Sequence, residues 1–252
     1  MIFGHEDKVA LFTSLARQNA LKHAYLFFGD SQIGKYHFAR HLAYFLEYGV
    51  FAVSNKPLID TILVELQDDK KTIGIDEIRQ LRGFLFQKPF KSQRRLIIIN
   101  DAHLLTVEAQ SSMLKFVEDA SPHVTFIFIA WDPYVLIPPL ASRLLHVYFA
   151  RASELEVVTF LQKHHSVAKQ KAQKIAQRSF GRIGRAAALL DTVENGEQSV
   201  AEWVGDTIME LYLRDKKGNA QTIMWLLEKE MMLHRYPLNQ NLQRKVIEER
   251  IR

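Results

Sequence analysis

A glycine-rich loop between a short apolar run and an amphipathic segment constrains the fold of this chain more than any other feature. The sequence from Gly29 to Lys35 reads Gly-Asp-Ser-Gln-Ile-Gly-Lys, so its second glycine is Gly34 and its spacing is G-x-x-x-x-G-K. The run Ala24–Phe28 before it predicts a buried strand, and the segment Tyr36–Tyr48 after it predicts a helix. In that context the loop N–H groups and the helix N-terminus surround phosphate oxygens, and the lysine reaches the outer phosphates. A glycine-rich turn that binds no nucleotide is the simpler alternative.

Two positions that would support magnesium in such a site carry unsuitable side chains. The residue after the lysine should be Ser or Thr, whose hydroxyl ligates Mg²⁺, but it is Tyr36, whose phenol oxygen lies too far from the backbone. The apolar run ending at Ile99 predicts a buried strand, and Asn100 follows it where an acidic residue normally supports the metal. Asp101 stands where a Walker B carboxylate would polarise the attacking water, although a loop carboxylate explains it equally well. We expect no metal site and at most weak binding of ATP or ADP.

Strands and helices alternate over the first 150 residues. Further strands are predicted at Thr61–Leu66, Arg95–Ile99, Val124–Ala130 and Leu144–Phe149, and further helices at Ile75–Phe86 and Thr106–Glu118. This alternation predicts an α/β fold with a parallel sheet. From Ser153 onward only helices are predicted, the first of them opened by a capping-box pattern with Glu156.

Composition places the chain among ordinary globular proteins, with 48% hydrophobic and 24% charged residues. It has no cysteine, which excludes a disulfide framework and a thiolate zinc site. The longest nearly unbroken apolar stretch, Val124–Trp131, is much shorter than the roughly 20 residues that a membrane-spanning helix needs. We therefore expect a cytoplasmic protein without a membrane partner. The net charge of +5 is compatible with nucleic acid nearby, but a solvated basic surface explains the scattered lysines and arginines equally well.

Several segments outside the loop resemble the clamp-loader branch of the AAA+ ATPases. The similarity extends over roughly residues 2–190 and rests on residues 2–6 (Ile-Phe-Gly-His-Glu), 23–27 (His-Ala-Tyr-Leu-Phe), 101–106 (Asp-Ala-His-Leu-Leu-Thr) and 138–143 (Pro-Pro-Leu-Ala-Ser-Arg). Within that branch the sequence is most similar to the delta-prime subunits of bacterial DNA polymerase III. Gly184 supports this choice, because active subunits tend to carry a sensor arginine there.

The resemblance implies a chain of three parts: a RecA-like AAA+ nucleotide-binding domain over 1–150, a helical lid over 151–192 and a helical collar-like region over 193–252. It implies a role in DNA replication with gamma/tau and delta subunits as partners, and with the sliding clamp and primed DNA through that complex. It also places Arg143 as an arginine finger that acts in trans on a neighbouring nucleotide. Many relatives carry a four-cysteine zinc module after the loop helix, and the lack of cysteine here predicts no zinc.

Two other functions stay open. The first is an active AAA+ ATPase, such as a gamma-type loader or another DNA-linked motor, against which Tyr36 and Asn100 argue. The second is a DNA-binding adaptor with a relict nucleotide fold. Finally, His37 and His41 share one face of the loop helix, and we interpret them as solvated histidines rather than metal ligands.

Overall fold

A five-stranded parallel sheet forms the centre of the N-terminal part of the molecule. The computed structural model describes residues 2–67, 69–119, 121–195, 200–215, 217–235 and 239–251. The strands are β1 (Ala24–Phe28), β2 (Thr61–Val64), β3 (Arg95–Ile99), β4 (Val124–Ile129) and β5 (Leu145–Tyr148). Their order in the sheet is β2-β3-β4-β1-β5, and all four pairings are parallel. The predicted α/β fold with a parallel sheet is confirmed.

Helices cover both faces of this sheet. The helices of this part are α1 (Glu6–Arg17), α2 (Lys35–Tyr48), α3 (Ile75–Gln80), α4 (Arg82–Leu85), α5 (Val107–Glu118) and α6 (Pro138–Ala141). Two of these helices have well-defined caps: Gly49 ends α2 in the left-handed region at φ 76°, and the Thr106 side chain accepts the Ala109 N–H at the start of α5. The single helix predicted at Ile75–Phe86 is instead two short helices, and the second contains Gly83, which weakens a helix.

The core consists of two apolar layers, one on each face of the sheet. Side chains alternate between the faces along a strand, so Leu96 and Ile98 join one layer while Ile97 and Ile99 join the other. The first layer is completed by α1 and α2, and the second by α3 to α6. Every residue of β3 and β4 is buried, as expected for strands covered on both faces.

An aromatic cluster in the first layer supports the glycine-rich loop from below. Phe12, Phe27, Phe38 and Phe149 are buried, and their ring centroids lie 5.0–5.7 Å apart in tilted or edge-to-face pairs. These rings come from α1, β1, α2 and the residue after β5. They therefore fix the two elements that the loop connects.

The regular elements described after Ser153 are all helices, as predicted. They are α7 (Glu154–His165), α8 (Lys169–Ser179), α9 (Ile183–Asn195), α10 (Val200–Asp215), α11 (Ala220–Arg235) and α12 (Gln240–Ile251). The capping box of Ser153 and Glu156 is present at the start of α7. One apolar cluster joins α7, α8 and α9, and a smaller one joins α10, α11 and α12. The domain boundaries after residues 150 and 192 stay a prediction. Among the described helices, none is long and apolar enough to cross a membrane.

Candidate functional site

The glycine-rich loop leaves β1 and enters α2 through two glycines with positive φ. Gly29 has φ 133° and Gly34 has φ 100°, so both lie in a region that side chains disfavour. A Cβ atom on Gly29 would overlap the backbone carbonyl of Phe149, whereas a Cβ atom on Gly34 would meet nothing within 4 Å. Gly29 therefore serves close backbone packing, and Gly34 borders open space at the start of α2.

Lys35 is the first residue of α2, and its side chain folds back onto the loop. Its Nζ donates to the carbonyl oxygens of Gly29, at 2.6 Å, and Asp30, at 2.5 Å. Burial lowers the pKa of this ammonium to about 8, although the nearby carboxylates of Asp101 and Asp30 act in the opposite direction. The result is a desolvated cation whose partners in the described structure are neutral carbonyls and two carboxylates at longer range.

A cavity of about 580 Å³ opens beside this loop, and its lining includes three groups of residues. The phosphate-loop wall comprises Ser31, Gln32, Ile33, Gly34 and Lys35; the Walker B wall comprises Tyr36, Asn100 and Asp101; the apolar wall comprises Ile2, Phe3, Phe160, Ile183 and Ala187. The size and mixed lining of the cavity are typical of small-molecule sites. Of the predicted site residues, the structure brings Gly34, Lys35 and Asp101 together on this cavity, with Gly29 at the base of the loop.

The side chains of the Walker B wall suit a magnesium ion poorly. Burial, followed by the interaction of the phenol with the nearby Glu65 carboxylate, raises the pKa of Tyr36 to about 12. The Asn100 amide Nδ2 donates to Oδ2 of Asp101 at 3.1 Å, so the one carboxylate of this wall is engaged by an amide. Within the described parts of the chain, no group of three or more His, Cys, Asp or Glu side chains is arranged to hold a metal ion. A short hydroxyl and a second carboxylate, which a hard cation prefers, are not among the residues of this wall.

The helical part of the chain closes directly onto the loop. Gly184 in α9 donates its backbone N–H to the Gln32 carbonyl at 2.8 Å. The Asp30 carboxylate forms an ion pair with Arg151 and lies 3.9 Å from Arg182. The hydrogen bond from Arg151 is the main reason that the pKa of Asp30 lies below its ordinary value. The loop thus contacts residues just after β5 and at the start of α9.

The sequence did not assign His5 or Arg40 to the nucleotide site, although both line the cavity. His5 is buried, its Nε2 donates to the Ile33 carbonyl at 3.1 Å, and its Nδ1 has no hydrogen-bond partner among the described residues. Arg40 lines the cavity from α2, with its guanidinium 5.8 Å from the centre of the Tyr36 ring. The spacing of four residues between Tyr36 and Arg40 was the available signal, because such residues share a helix face. Nothing in the sequence alone joins His5 to the loop.

Arg143 lies away from the cavity, just after α6. Its Nη1 donates to the Pro139 carbonyl at 2.8 Å, and its Nη2 lies 2.5 Å from Oε1 of Glu118. The Arg143 side chain remains 41% exposed. Its assignment as a finger for a neighbouring subunit stays a prediction.

The interpretation of the histidine pair on α2 is wrong for one member. His41 is buried, and its Nδ1 contacts the carbonyl oxygen of His37 at 2.7 Å. Its ring packs against Phe51, with the ring centroids 5.9 Å apart. The segment after α2 folds back over this helix, and the Tyr44 hydroxyl donates to the Lys56 carbonyl of that segment at 2.9 Å. The absence of zinc in this segment stays a prediction.

Comparison with known families and proteins gives a consistent set of similarities. A family described as DNA polymerase III, delta subunit, matches residues 50–153. The DNA polymerase III subunit gamma/tau of Mycobacterium tuberculosis is 32% identical over 163 residues, which are 59% of this chain and 28% of that protein. The DNA polymerase III subunit delta' of Pseudomonas aeruginosa is 28% identical over 149 residues, which are 53% of this chain and 45% of that protein. The chain thus spans less than half the length of these relatives.

Solved structures extend the similarity of the fold to most of the chain. A DNA polymerase III gamma subunit-related protein from Thermotoga maritima aligns with a TM-score of 0.55 and 18% identity, covering 94% of this chain and 96% of that one. A point mutant of Thermotoga maritima RuvB aligns with a TM-score of 0.55 and 15% identity, covering 90% of this chain and 70% of that one. At these identities the alignments show a common fold over most of the chain.

Proposed function

Because the chain belongs to the clamp-loader branch of the AAA+ proteins and resembles its delta-prime subunits, we propose that it is a clamp-loader subunit of DNA polymerase III. In this role it assembles with gamma/tau and delta subunits in the cytoplasm and helps to load the sliding clamp on primed DNA. It contributes little or no ATP hydrolysis of its own. The relatives of this branch are named as DNA polymerase III subunits, which supports the proposal.

The Walker B wall carries the argument for a non-hydrolysing subunit. Tyr36 points its phenol at Glu65, and Asn100 presents an amide where an acidic side chain would support the metal. Hydrolysis by a P-loop site depends on magnesium to bridge the phosphates and on a carboxylate to orient water. Asp101 remains, but its Oδ2 accepts the Asn100 amide. Both side chains weaken the binding of the same magnesium ion, so we expect no ATP turnover above background from the isolated chain.

Arg143 gives this subunit a way to act on a neighbour. It lies in a segment similar to the clamp-loader Ser-Arg motif, and its side chain is 41% exposed. Its contact with Glu118 involves two partly exposed side chains, and pairs of this kind contribute only about 0–1 kcal/mol. The guanidinium can therefore leave Glu118 at little cost and stabilise charge on the γ-phosphate of an adjacent subunit.

Reconstitution of the complex tests the proposal. The unmodified chain should co-purify with gamma/tau and delta subunits of its host. In the complex, Arg143→Ala should slow hydrolysis at the adjacent site by about 10³-fold or more, and Arg143→Lys should restore little, because a point charge does not reproduce the planar fork. Arg79→Ala is the matched control, since Arg79 is also an exposed arginine that pairs with a carboxylate on the surface. Normal assembly with an unchanged rate for Arg143→Ala would make Arg143 an ordinary surface residue, and failure to co-purify would reject the complex itself.

The gamma/tau relatives favour a second candidate function, an active AAA+ ATPase. That function requires magnesium-dependent ATP turnover by the isolated chain. It also requires that Lys35→Ala abolish the turnover, because this lysine is the phosphate ligand of the loop. Observing both results would replace the first proposal with the second.

A further inference from the structure

We propose that residues 2–5, which precede α1, form a strap that holds α7–α9 against the glycine-rich loop. Residues 149–153 connect β5 to α7, and relative motion is the default for two parts of a chain that a short connection joins. The strap removes that freedom, because it contacts both parts. The inference goes beyond the proposed function and does not depend on it, since it concerns the conformation of this chain alone.

One end of the strap is fixed to the loop and to the core below it. His5 is buried, and its Nε2 donates to the Ile33 carbonyl at 3.1 Å. Its ring meets the Phe149 ring edge to face, with the two centroids 4.8 Å apart. Burial lowers the pKa of His5, so the ring is neutral near pH 7 and this anchor does not depend on a charge. Because Ile33 lies inside the loop and Phe149 belongs to the aromatic cluster, this end of the strap moves with the sheet.

The other end of the strap is fixed to α7 by an aromatic ring. The Phe3 ring centroid lies 5.5 Å from that of Phe160 and 5.1 Å from that of His164, at interplanar angles of 68° and 89°. Phe160 and His164 are four residues apart, so they share one face of α7, and their own rings stack with centroids 5.5 Å apart. Edge-to-face contacts are a favourable geometry for aromatic pairs. Phe3 therefore holds α7 through side chains on two successive turns.

The middle of the strap lies directly on the connection to α7. Gly4 has φ 75°, in the left-handed region that favours glycine. A Cβ atom on Gly4 would lie 3.3 Å from the Ala152 Cβ and 3.6 Å from the Ala152 Cα, so a side chain here would push the strap away from Ala152. Ala152 in turn donates its N–H to the Gly181 carbonyl, just before α9, at 2.9 Å. The strap, the connection and the turn before α9 are therefore stacked in close backbone contact.

Two polar contacts also join the loop to the helical region, and both are weaker than the strap. Arg151 and Arg182 face the Asp30 carboxylate, but all three side chains are partly exposed, and exposed ion pairs contribute little to stability. The contact between the Gly184 N–H and the Gln32 carbonyl is a single hydrogen bond. The strap instead joins buried and half-buried aromatic rings on both sides. We therefore expect the Gly184 bond to depend on the strap, so exchange of this amide reports whether α9 stays on the loop.

Hydrogen exchange on the full chain tests the inference with a matched pair of glycine variants. Gly4 and Gly49 have nearly equal φ values, 75° and 76°, but a Cβ atom on Gly49 would meet nothing within 4 Å. Both substitutions by alanine impose the same backbone strain, and only Gly4→Ala also displaces the strap. In Gly4→Ala the amides of Gly184 and α7 should exchange about tenfold faster, which corresponds to about 1.4 kcal/mol of local opening, while amides of β3 and β4 keep their rates. In Gly49→Ala the exchange at Gly184 should stay within about twofold of the unmodified protein.

Phe3→Ala is the second variant, and it keeps the test decisive if Gly4→Ala does not fold. It removes the ring that contacts α7 and should also speed exchange at Gly184 by about tenfold. Phe116→Ala is its control, because Phe116 is likewise half-buried but packs on the other face of the sheet. Unchanged exchange at Gly184 in either folded strap variant would overturn the inference. Equal acceleration in β3 and α7 would also overturn it, because the strap would then support the whole fold rather than the position of α7–α9.

Discussion

The phosphate-loop wall and the Walker B wall border the same cavity, yet they differ in what builds them. The first depends on backbone shape: Gly29 and Gly34 with positive φ, and Lys35 held by two loop carbonyls. The second depends on a few side chains, among them Tyr36 and Asn100, which are poor ligands for a hard cation. The phosphate-loop wall has the backbone shape of a phosphate site, whereas the Walker B wall lacks the side chains that a metal site usually has.

This difference shows which part of a nucleotide site the fold itself maintains. Gly29 packs against the carbonyl of Phe149 at the edge of the aromatic cluster, so changing the loop would disturb the core. Asn100, by contrast, follows β3 at a partly exposed position, where a carboxamide replaces a carboxylate without repacking. A change of side chain at position 100 should therefore disturb the structure little, whereas a change in the loop should disturb the core.

Gly29→Ala should have the largest effect on folding. The new Cβ would overlap the Phe149 carbonyl, and the backbone would remain at φ 133°, a region that is nearly exclusive to glycine. We expect a loss of about 4 kcal/mol in the free energy of unfolding. Gly34→Ala in the same loop should lose only about 1–2 kcal/mol, because its Cβ meets nothing within 4 Å and only the φ of 100° is strained. Urea denaturation of both variants measures the difference, and equal losses would show that the loop is not fixed by its contact with the residue after β5.

Tyr36→Thr combined with Asn100→Asp should convert the Walker B wall to a metal-supporting one. The threonine supplies a short hydroxyl, and the aspartate supplies a second carboxylate beside Asp101. We expect Mg²⁺ to tighten ATP binding by about 100-fold in the double variant, which corresponds to about 2.7 kcal/mol. Tyr36→Phe is the control, since it removes the phenol contact to Glu65 without creating a ligand. Calorimetry with and without Mg²⁺ provides the measurement. If the ATP affinity of the double variant did not change with Mg²⁺, residues other than Tyr36 and Asn100 would prevent metal binding at this wall.

The sequence predicted what depends on neighbours along the chain. The strand–loop–helix unit, the parallel sheet and the Ser153 capping box follow from local spacing and periodicity, and all are confirmed. The cavity residues Gly34, Lys35 and Asp101 came from one motif and from the end of one strand. These features need only that strands of a parallel sheet end at the same edge.

What the sequence did not predict depends on contacts between distant segments. Asp30 pairs with Arg151, 121 residues away, and His5 contacts Ile33 across 28 residues. The burial of His41 results from Phe51 folding back over α2, where helical periodicity alone indicated a solvated face. No sequence spacing predicts these contacts, because they depend on how distant segments pack in the folded protein.

Lys35 should make stability depend on pH in a direction set by its desolvation. Its pKa is about 8 in the folded protein and about 10.5 in an unfolded chain, so the folded state releases its proton first as the pH rises. Between these values the unfolded state binds more protons, and the stability of the protein relative to Lys35→Met should therefore rise with pH. From about pH 7 to 9.5 we expect a relative gain of about 2 kcal/mol, since each unit above the folded pKa contributes about 1.4 kcal/mol.

Urea denaturation at several pH values, with Lys88→Met as the exposed-lysine control, measures this gain. The control should differ from the unmodified protein by the same amount at each pH. A flat difference for Lys35→Met would show that the ammonium is well solvated, and the phosphate-loop wall would then lack a desolvated cation.

Gly184→Ala should have the smallest effect, and it tests whether the phosphate-loop wall is held by the helical region as well as by the sheet. A Cβ atom on Gly184 would lie 2.9 Å from the Gln32 carbonyl oxygen and 3.2 Å from the Gln32 Cβ, so α9 must move away from the loop. That movement stretches the 2.8 Å bond from the Gly184 N–H to Gln32. Alanine is favoured over glycine in a helix by about 1 kcal/mol, which offsets part of the loss, and we expect a net destabilisation of about 1 kcal/mol.

Gly83→Ala in α4 is the matched control, because its Cβ would meet nothing within 4 Å and its stability should stay equal or rise slightly. Hydrogen exchange at the Gly184 position adds a local measurement, since the amide should lose protection in Gly184→Ala and keep it in Gly83→Ala. If both variants were equally stable and equally protected, α9 would not support the loop. The contrast between the two walls would then rest on the sheet alone.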